Sequence, residues 1–459
     1  MTVERFLDIG INNTCFHENQ EINSVDCNFT PWVNNSMYGA FYNCVNLKSV
    51  SNINENVTNM TSTFSACNSL VNAPVIPNSV ISMDMTFNGC TSLVDAPVIP
   101  NSVTNMGWTF RDCTSLVDAP VIPNSVTDIT GTFFGCNHVE DAPVIPESVT
   151  NMYLTFRGCS LLNNVPEINV PLCTSMYSTF RYCYNLTDIN IKAPNCTNIT
   201  NIFANCNNLT NVHAEFNKAP NVVSLFENCT SLETVNISAQ NATNAFKLFY
   251  NCKELTNVEW NIPNVTNLQA AFLGCPIQEP PILPNSAQDL TQTFQGCTLI
   301  TNAPTIPNSV TTLTSTFRYC SNLVNPPEFP SNITSLSTTF QGCHSLTHIP
   351  SLPNNISSLI TTFADCWNLT TVPNLPSSII TLVETFFNSQ NITGNIYIYS
   401  NQVSSASRCF YNTSLTKNVY IPFTYENGVN TATYNAFINA GYDTLGSTDG
   451  VYLKDFATL

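Results

Sequence analysis

Apolar residues return along this chain with a period of 23 residues, slipping to 22 or 24 at single places. In the stretch 90–112, CTSLVDAPVIPNSVTNMGWTFRD, the positions of Leu93, Ala96, Ile99, Val103, Met106 and Phe110 recur as apolar in most copies. Ser, Thr, Asn, Asp and Pro fill the places between them. Each repeat therefore has a few inward side chains and a polar exterior. A coil of 23 residues cannot bury its own apolar edge, whereas a stack of coils buries a continuous core. The pattern predicts a repeat solenoid of about 17 coils.

Within a coil the elements follow from local chemistry. The segment 93–99 is flanked by Pro97 and Pro100, which forbid helix and favour extended backbone. Stacked from coil to coil, such segments predict a narrow parallel β-sheet. The segment 103–110 must turn back, with a short helical or 3₁₀ turn ending at the Phe.

The sharpest mark of the repeat is Phe-x-x-Cys. It begins at Phe41/Cys44 and continues at Phe64/Cys67, Phe87/Cys90, Phe110/Cys113, Phe133/Cys136 and Phe156/Cys159. It then runs on to Phe363/Cys366, and two degenerate copies keep Phe386 and Phe410 but carry Ser389 and Thr413 in place of Cys. This ladder is expected to be the structural core. Residues 41–413 thus form the array, with 1–40 as an N-terminal cap. Residues 414–459 form a C-terminal cap or docking segment, since an open solenoid end exposes core and unpaired strand edge.

The motif Val-Thr-x-Met-x-x-x-Phe-x-x-Cys-x-x-Leu, as in Val103, Thr104, Met106, Phe110, Cys113 and Leu116, resembles the BspA-like leucine-rich repeats, the 23–26-residue type of bacterial surface proteins. The Ala-Pro-x-Ile-Pro segment at 96–100 departs from that pattern, and the phrase at 99–104 is similar to the FNIP repeats of amoebae and giant viruses. The resemblance implies a solenoid of leucine-rich-repeat type used for surface binding, of a kind found on bacterial surfaces, in trichomonads and in bacteriophage proteins. It implies no catalytic residues.

Composition narrows the function classes. Only 9% of residues are charged and the net charge is −17, the opposite of the basic stripe a nucleic-acid binder needs. A hydrophobic content of 43% argues against disorder, and no apolar run approaches the length of a membrane-spanning helix. The 20 cysteines are mostly one coil position repeated. An evenly spaced column gives each thiol two equivalent neighbours, so buried free thiols are expected rather than disulfides. Cys15, Cys27, Cys173, Cys196 and Cys409 fall outside the column, and Cys173 and Cys196 occupy equivalent places in successive coils. Free thiols fit assembly in a reducing cytoplasm. The start, MTVERFLDIGINNTC, lacks the apolar region of a secretory signal.

Candidate chemistry is sparse. There is no Gly-x-Ser-x-Gly, phosphate loop or His-Glu-x-x-His, so no catalytic or cofactor-binding residue is assigned. Cys343, His344 and His348 come nearest to a metal cluster and read as a core thiol beside two surface imidazoles. Asp95, Asp118 and Asp141 share one coil position. In register they would form a carboxylate column with spacing of about 5 Å: a solvated face, a Ca²⁺ ladder or, at that separation, a glycosidase pair. Trp32, Trp108, Trp260 and Trp367 are scattered and form no sugar-binding stripe.

These features lead to a non-enzymatic binding or structural solenoid. The expected setting is a phage virion, assembled in the host cytoplasm, as a fibre, spike or decoration protein. Its partners would be other virion proteins or a host cell-surface protein or glycan, with no nucleic acid and no membrane insertion. A homo-oligomer or symmetric attachment is expected. The alternatives are an adhesin of the bacterial cell surface and a glycan-degrading phage spike.

Overall fold

A computed structural model describes residues 16–27, 33–413, 417–424, 430–443 and 451–456. The chain is a parallel β-solenoid of about 17 turns with little helix. It divides into two compact units, 1–241 and 242–459.

In the first unit, β1 (Ser24–Asp26) pairs in parallel with β2 (Ser49–Ser51). Further along, β3 (Ile168–Asn169), β4 (Asp188–Lys192), β5 (Asn211–Glu215) and β6 (Thr234–Ser238) lie side by side in parallel. Asp188, Asn211 and Thr234 stand opposite one another, so the register equals the sequence period. Ile189 and Ile191, Val212 and Ala214, and Val235 and Ile237 point inward.

Proline interrupts the sheet. Strands of five residues form at DINIK, NVHAE and TVNIS, whose extended segments have no Pro; the Pro-free segments 47–53 and 392–398 hold shorter strands, of three and two residues. Where the segment reads DAPVIP, single bridges remain, such as Asn72 to Asp95 and Asp95 to Asp118. Pro97 and Pro100 have no N–H to give to a ladder. Ala193 stands where other coils carry the second Pro, and its N–H donates to the Glu215 carbonyl at 3.1 Å. The narrow parallel sheet is present, reduced to bridges in the proline coils.

The returning segment is also a ladder. The N–H groups of Met106, Trp108, Phe110 and Asp112 donate to the carbonyls of Asp128, Thr130, Thr132 and Phe134 in the next coil, at 2.6–2.9 Å. Within the coil, Thr109 N–H bonds to Met106 O at 3.2 Å and Cys113 N–H to Phe110 O at 3.0 Å. The third residue of each turn has positive φ, +53° at Trp108 and +55° at Asp112, as a type II turn requires. The turn expected before each Phe is there, as a run of β-turns rather than a helical or 3₁₀ segment.

Coil stacking reaches into the segment expected to cap the array. Phe16 stacks on Phe41 with centroids 5.1 Å apart, and the Cys44 thiol donates to Phe16 O at 2.8 Å. Residues 1–15 lie outside the described residues.

The second unit carries β7 (Glu259–Asn261) and β8 (Ile396–Tyr397). It then has β9 (Lys417–Ile421), helix α1 (Ala432–Asn439) and β10 (Val451–Asp455). β9 lies between β8 and β10, both parallel to it. Thr431 caps α1, its hydroxyl accepting from Tyr434 N–H at 3.1 Å. Phe437 and Tyr442 pack on Phe410, the last ring of the column, and Tyr442 Oη accepts from Phe410 N–H at 2.9 Å. Among the described residues no helix is long and apolar enough to cross a membrane.

Candidate functional site

The Phe-x-x-Cys positions come together as two buried columns. Phe64, Phe87, Phe110, Phe133 and Phe156 are fully buried and stack with centroids 5.4–5.8 Å apart and planes within 16° of parallel. That is the range of offset stacking. Each thiol donates backwards to the Phe carbonyl of the preceding coil. Cys67 bonds to Phe41 O, Cys90 to Phe64 O, Cys113 to Phe87 O, Cys136 to Phe110 O and Cys159 to Phe133 O, at 2.9–3.1 Å. The same carbonyl accepts the N–H of its own coil's Cys, as Phe87 O does from Cys90 at 3.0 Å, so both lone pairs are used.

A third column was missed by reasoning from apolar periodicity. Thr86, Thr109, Thr132 and Thr155, one place before each Phe, are fully buried. Their hydroxyls donate to Met60 O, Met83 O, Met106 O and Ile129 O of the preceding coil at 2.7–3.0 Å. The recurring Thr-Phe dipeptide was the available signal. Ser102 and Ser125 do the same at the coil corner, donating to Val80 O and Val103 O at 2.6 Å.

The cysteines among the described residues are buried; Cys15 lies outside them. Burial pushes the thiols of Cys90, Cys113, Cys136 and Cys159 well above the ordinary value. The Cys173 thiol donates to Ser175 O at 3.3 Å and the Cys196 thiol to Asn198 O at 3.6 Å, and their mutual interaction lowers Cys173 and raises Cys196. Cys27 and Cys409 are buried as well.

The carboxylate column lies at the surface. Asp95, Asp118 and Asp141 are exposed; Asp95 is opposite Asp118, and Asp141 is opposite Asn164. Asn164 Nδ2 donates to Asp141 Oδ1 at 2.9 Å. Among the described residues no three of His, Cys, Asp and Glu are grouped so as to hold a metal ion. The Cys343, His344 and His348 set separates: the Cys343 thiol bonds to Phe317 O, His344 stacks on Trp367 with centroids 3.7 Å apart, and His348 faces the Thr347 hydroxyl at 3.2 Å.

Beside the carboxylates runs an uncovered apolar column. Val75, Val98, Val121 and Val144 are 88%, 87%, 83% and 69% exposed, while the next residue in each coil, Ile76, Ile99, Ile122 and Ile145, points into the core. Alternation in an extended segment places one side chain inward and its neighbour outward, and the flanking prolines keep the segment extended. In the second unit the equivalent segments 303–308 and 326–330 bound a cleft of about 420 Å³ lined by Pro304, Pro327 and Phe329.

This geometry defines a leucine-rich-repeat solenoid. The BspA type leucine-rich repeat region matches in six overlapping copies, at 9–117, 73–169, 144–256, 174–301, 222–339 and 314–442. The chain belongs to that family. Among solved structures it is similar to a leucine-rich repeat protein from Bacteroides ovatus. That match has 22% identity and a TM-score of 0.50, over 74% of this chain and 81% of the other. A leucine rich cell surface protein from Faecalibacterium prausnitzii is 20% identical over 82% of this chain and 83% of its own, with a TM-score of 0.27. No curated protein matches significantly.

Proposed function

We propose that the protein is a non-enzymatic binding solenoid whose partner docks on the extended-segment face of the first unit. The observation that carries this reading is the column Val75, Val98, Val121 and Val144, exposed on four successive coils beside Asp95, Asp118 and Asp141. Contiguous exposed apolar surface on a folded protein marks an interaction site. The carboxylates and the net charge of −17 select a protein partner that presents apolar side chains flanked by Lys or Arg. Charging the column, with Val98→Glu and Val121→Glu together, is expected to abolish attachment of the parent particle or cell and leave the melting temperature unchanged. Unaltered attachment would sink the proposal.

For the setting, a virion component assembled in the cytoplasm agrees with the buried thiols of the ladder, such as Cys90, Cys113 and Cys136, which form no disulfide and persist in reducing surroundings. A cell-surface adhesin is the second reading, favoured by membership in the BspA type leucine-rich-repeat family. Labelling purified phage and intact bacteria with antibody to this chain separates them. Label on the particle supports the first, label on the bacterial envelope the second, and label on neither removes both.

A further inference from the structure

We infer that the turn face of the first unit carries a second binding site, for an acidic polysaccharide, built from Trp108, Arg111, Phe134, Arg157, Arg181 and Tyr182. The chain has six arginines, and three of them meet here. Arg111, Phe134, Arg157 and Arg181 hold one position in four successive coils: the N–H groups of Asp112, Gly135 and Gly158 donate in turn to the carbonyls of Phe134, Arg157 and Arg181. The guanidinium of Arg111 lies over the rings of Trp108 and Phe134, both at 5.2 Å. Arg157 lies over Phe134 at 5.6 Å and Tyr182 at 5.7 Å, and Arg181 over Tyr182 at 4.8 Å. Gly131 lets the Trp108 ring settle on the next coil, since a Cβ there would stand 2.2 Å from the indole.

Charge pairing leaves two of these cations available. Arg111 is joined to Asp112 at 3.1 Å, while Arg157 and Arg181, like Arg318, have no ion pair among the described residues, in a protein with 30 acidic side chains. An Arg-Tyr pair also occurs at Arg318 and Tyr319, 4.7 Å apart, between Gln295 and Gln341 in the adjoining coils, so stacking alone is a structural device. What is particular here is three cations in one column. At the strand spacing of about 4.8 Å, Arg157 and Arg181 can share one anion, and Arg111 lies about 10 Å from Arg157. A guanidinium stacked on a ring is pre-organised and keeps planar N–H donors for carboxylate or sulfate. Flat rings between the cations suit the apolar faces of sugar rings. A polyuronate carries a sparser line of charge than a nucleic acid, so the negative field of the whole chain opposes it less.

The test is retention of the intact protein on immobilised dextran sulfate, a polyuronate and uncharged dextran at low salt, with a single-stranded oligothymidylate in parallel. Retention by dextran sulfate or the polyuronate and not by dextran is expected, weakening as salt rises. The double variant Arg157→Gln and Arg181→Gln should lose at least about tenfold in affinity with unchanged thermal unfolding. Lysine at both positions should restore part of it, and Arg318→Gln should change nothing. Equal binding by the double variant, no retention on either polyanion, or tighter binding to the oligothymidylate would each overturn the inference. The Val98 and Val121 variants leave this site intact, so failure of one reading is distinguishable from failure of the other.

Discussion

At Cys113 the coil needs a side chain small enough for a packed interior and able to donate one hydrogen bond to Phe87 O. Cysteine meets both needs, because a thiol is apolar enough for a core and still a weak donor. The chain carries its own control: at Ser389 the hydroxyl donates to Phe363 O at 2.6 Å, in the same role. Cys113→Ser should therefore cost less than about 1 kcal/mol, and Cys113→Ala about 1–2 kcal/mol, as read by urea unfolding. The reverse order would show that thiol volume, not donation, matters. The buried thiols also set an alkaline limit. Burial raises Cys90, Cys113 and Cys136 above 9.0, so above that pH the unfolded chain releases protons that the fold retains. Their stabilisation is intact below pH 9 and falls as pH rises further, by about 1.4 kcal/mol per unit for each such thiol. The urea midpoint should drop clearly between pH 8 and pH 10; an unchanged midpoint would contradict burial of the protonated thiols.

At the scale of the element, the extended segments and the turns answer to different residues. Ala193→Pro removes the donor to Glu215 O and gives β4 the sequence feature of the bridge-only coils. About 1 kcal/mol of stability should be lost, with amide-exchange protection falling at the β4–β5 edge and not in the Phe column. The carboxylate column tests the opposite sign. Asp95 and Asp118 are directly opposite on exposed backbone, and like charges so placed repel. Asp118→Asn should stabilise by about 0.2–1 kcal/mol at low salt, and a chelator should leave the melting temperature of the unmodified protein where it was. A fall on chelation would instead show that the column holds Ca²⁺.

Over the whole molecule, stability is a sum over neighbouring coils rather than the property of one core. Phe110→Ala removes a fully buried ring that stacks on both Phe87 and Phe133, and should cost about 3–5 kcal/mol, spread over those two neighbours. Phe437→Ala acts at an end instead. It uncovers Phe410, so exchange should rise first in the last coils and leave residues 64–159 protected. Uniform loss of protection along the chain would mean that the array unfolds as one two-state body.

The period, the inward set from Leu93 to Phe110 and the Phe and Cys columns were legible in the sequence, because one template repeated in register leaves no other way to bury its apolar positions. The turn chemistry was half legible: Gly, Asn or Asp stands before most ladder cysteines, as at Gly89, Asp112 and Gly135, where φ is positive. Helix and turn share a short period, however, and only the backbone separates them. The Thr column was written in the Thr-Phe dipeptide, but apolar periodicity passes over a polar residue that is buried. The repeat register already aligned Asp95, Asp118 and Asp141, but only the tertiary structure decided which outward columns stay uncovered. Val75 and Val98 look like any strand residues, and Arg111 and Arg157 are 46 positions apart. Coil stacking carries each into a column, and exposure, which depends on what lies above a side chain rather than on what precedes it, makes those columns sites.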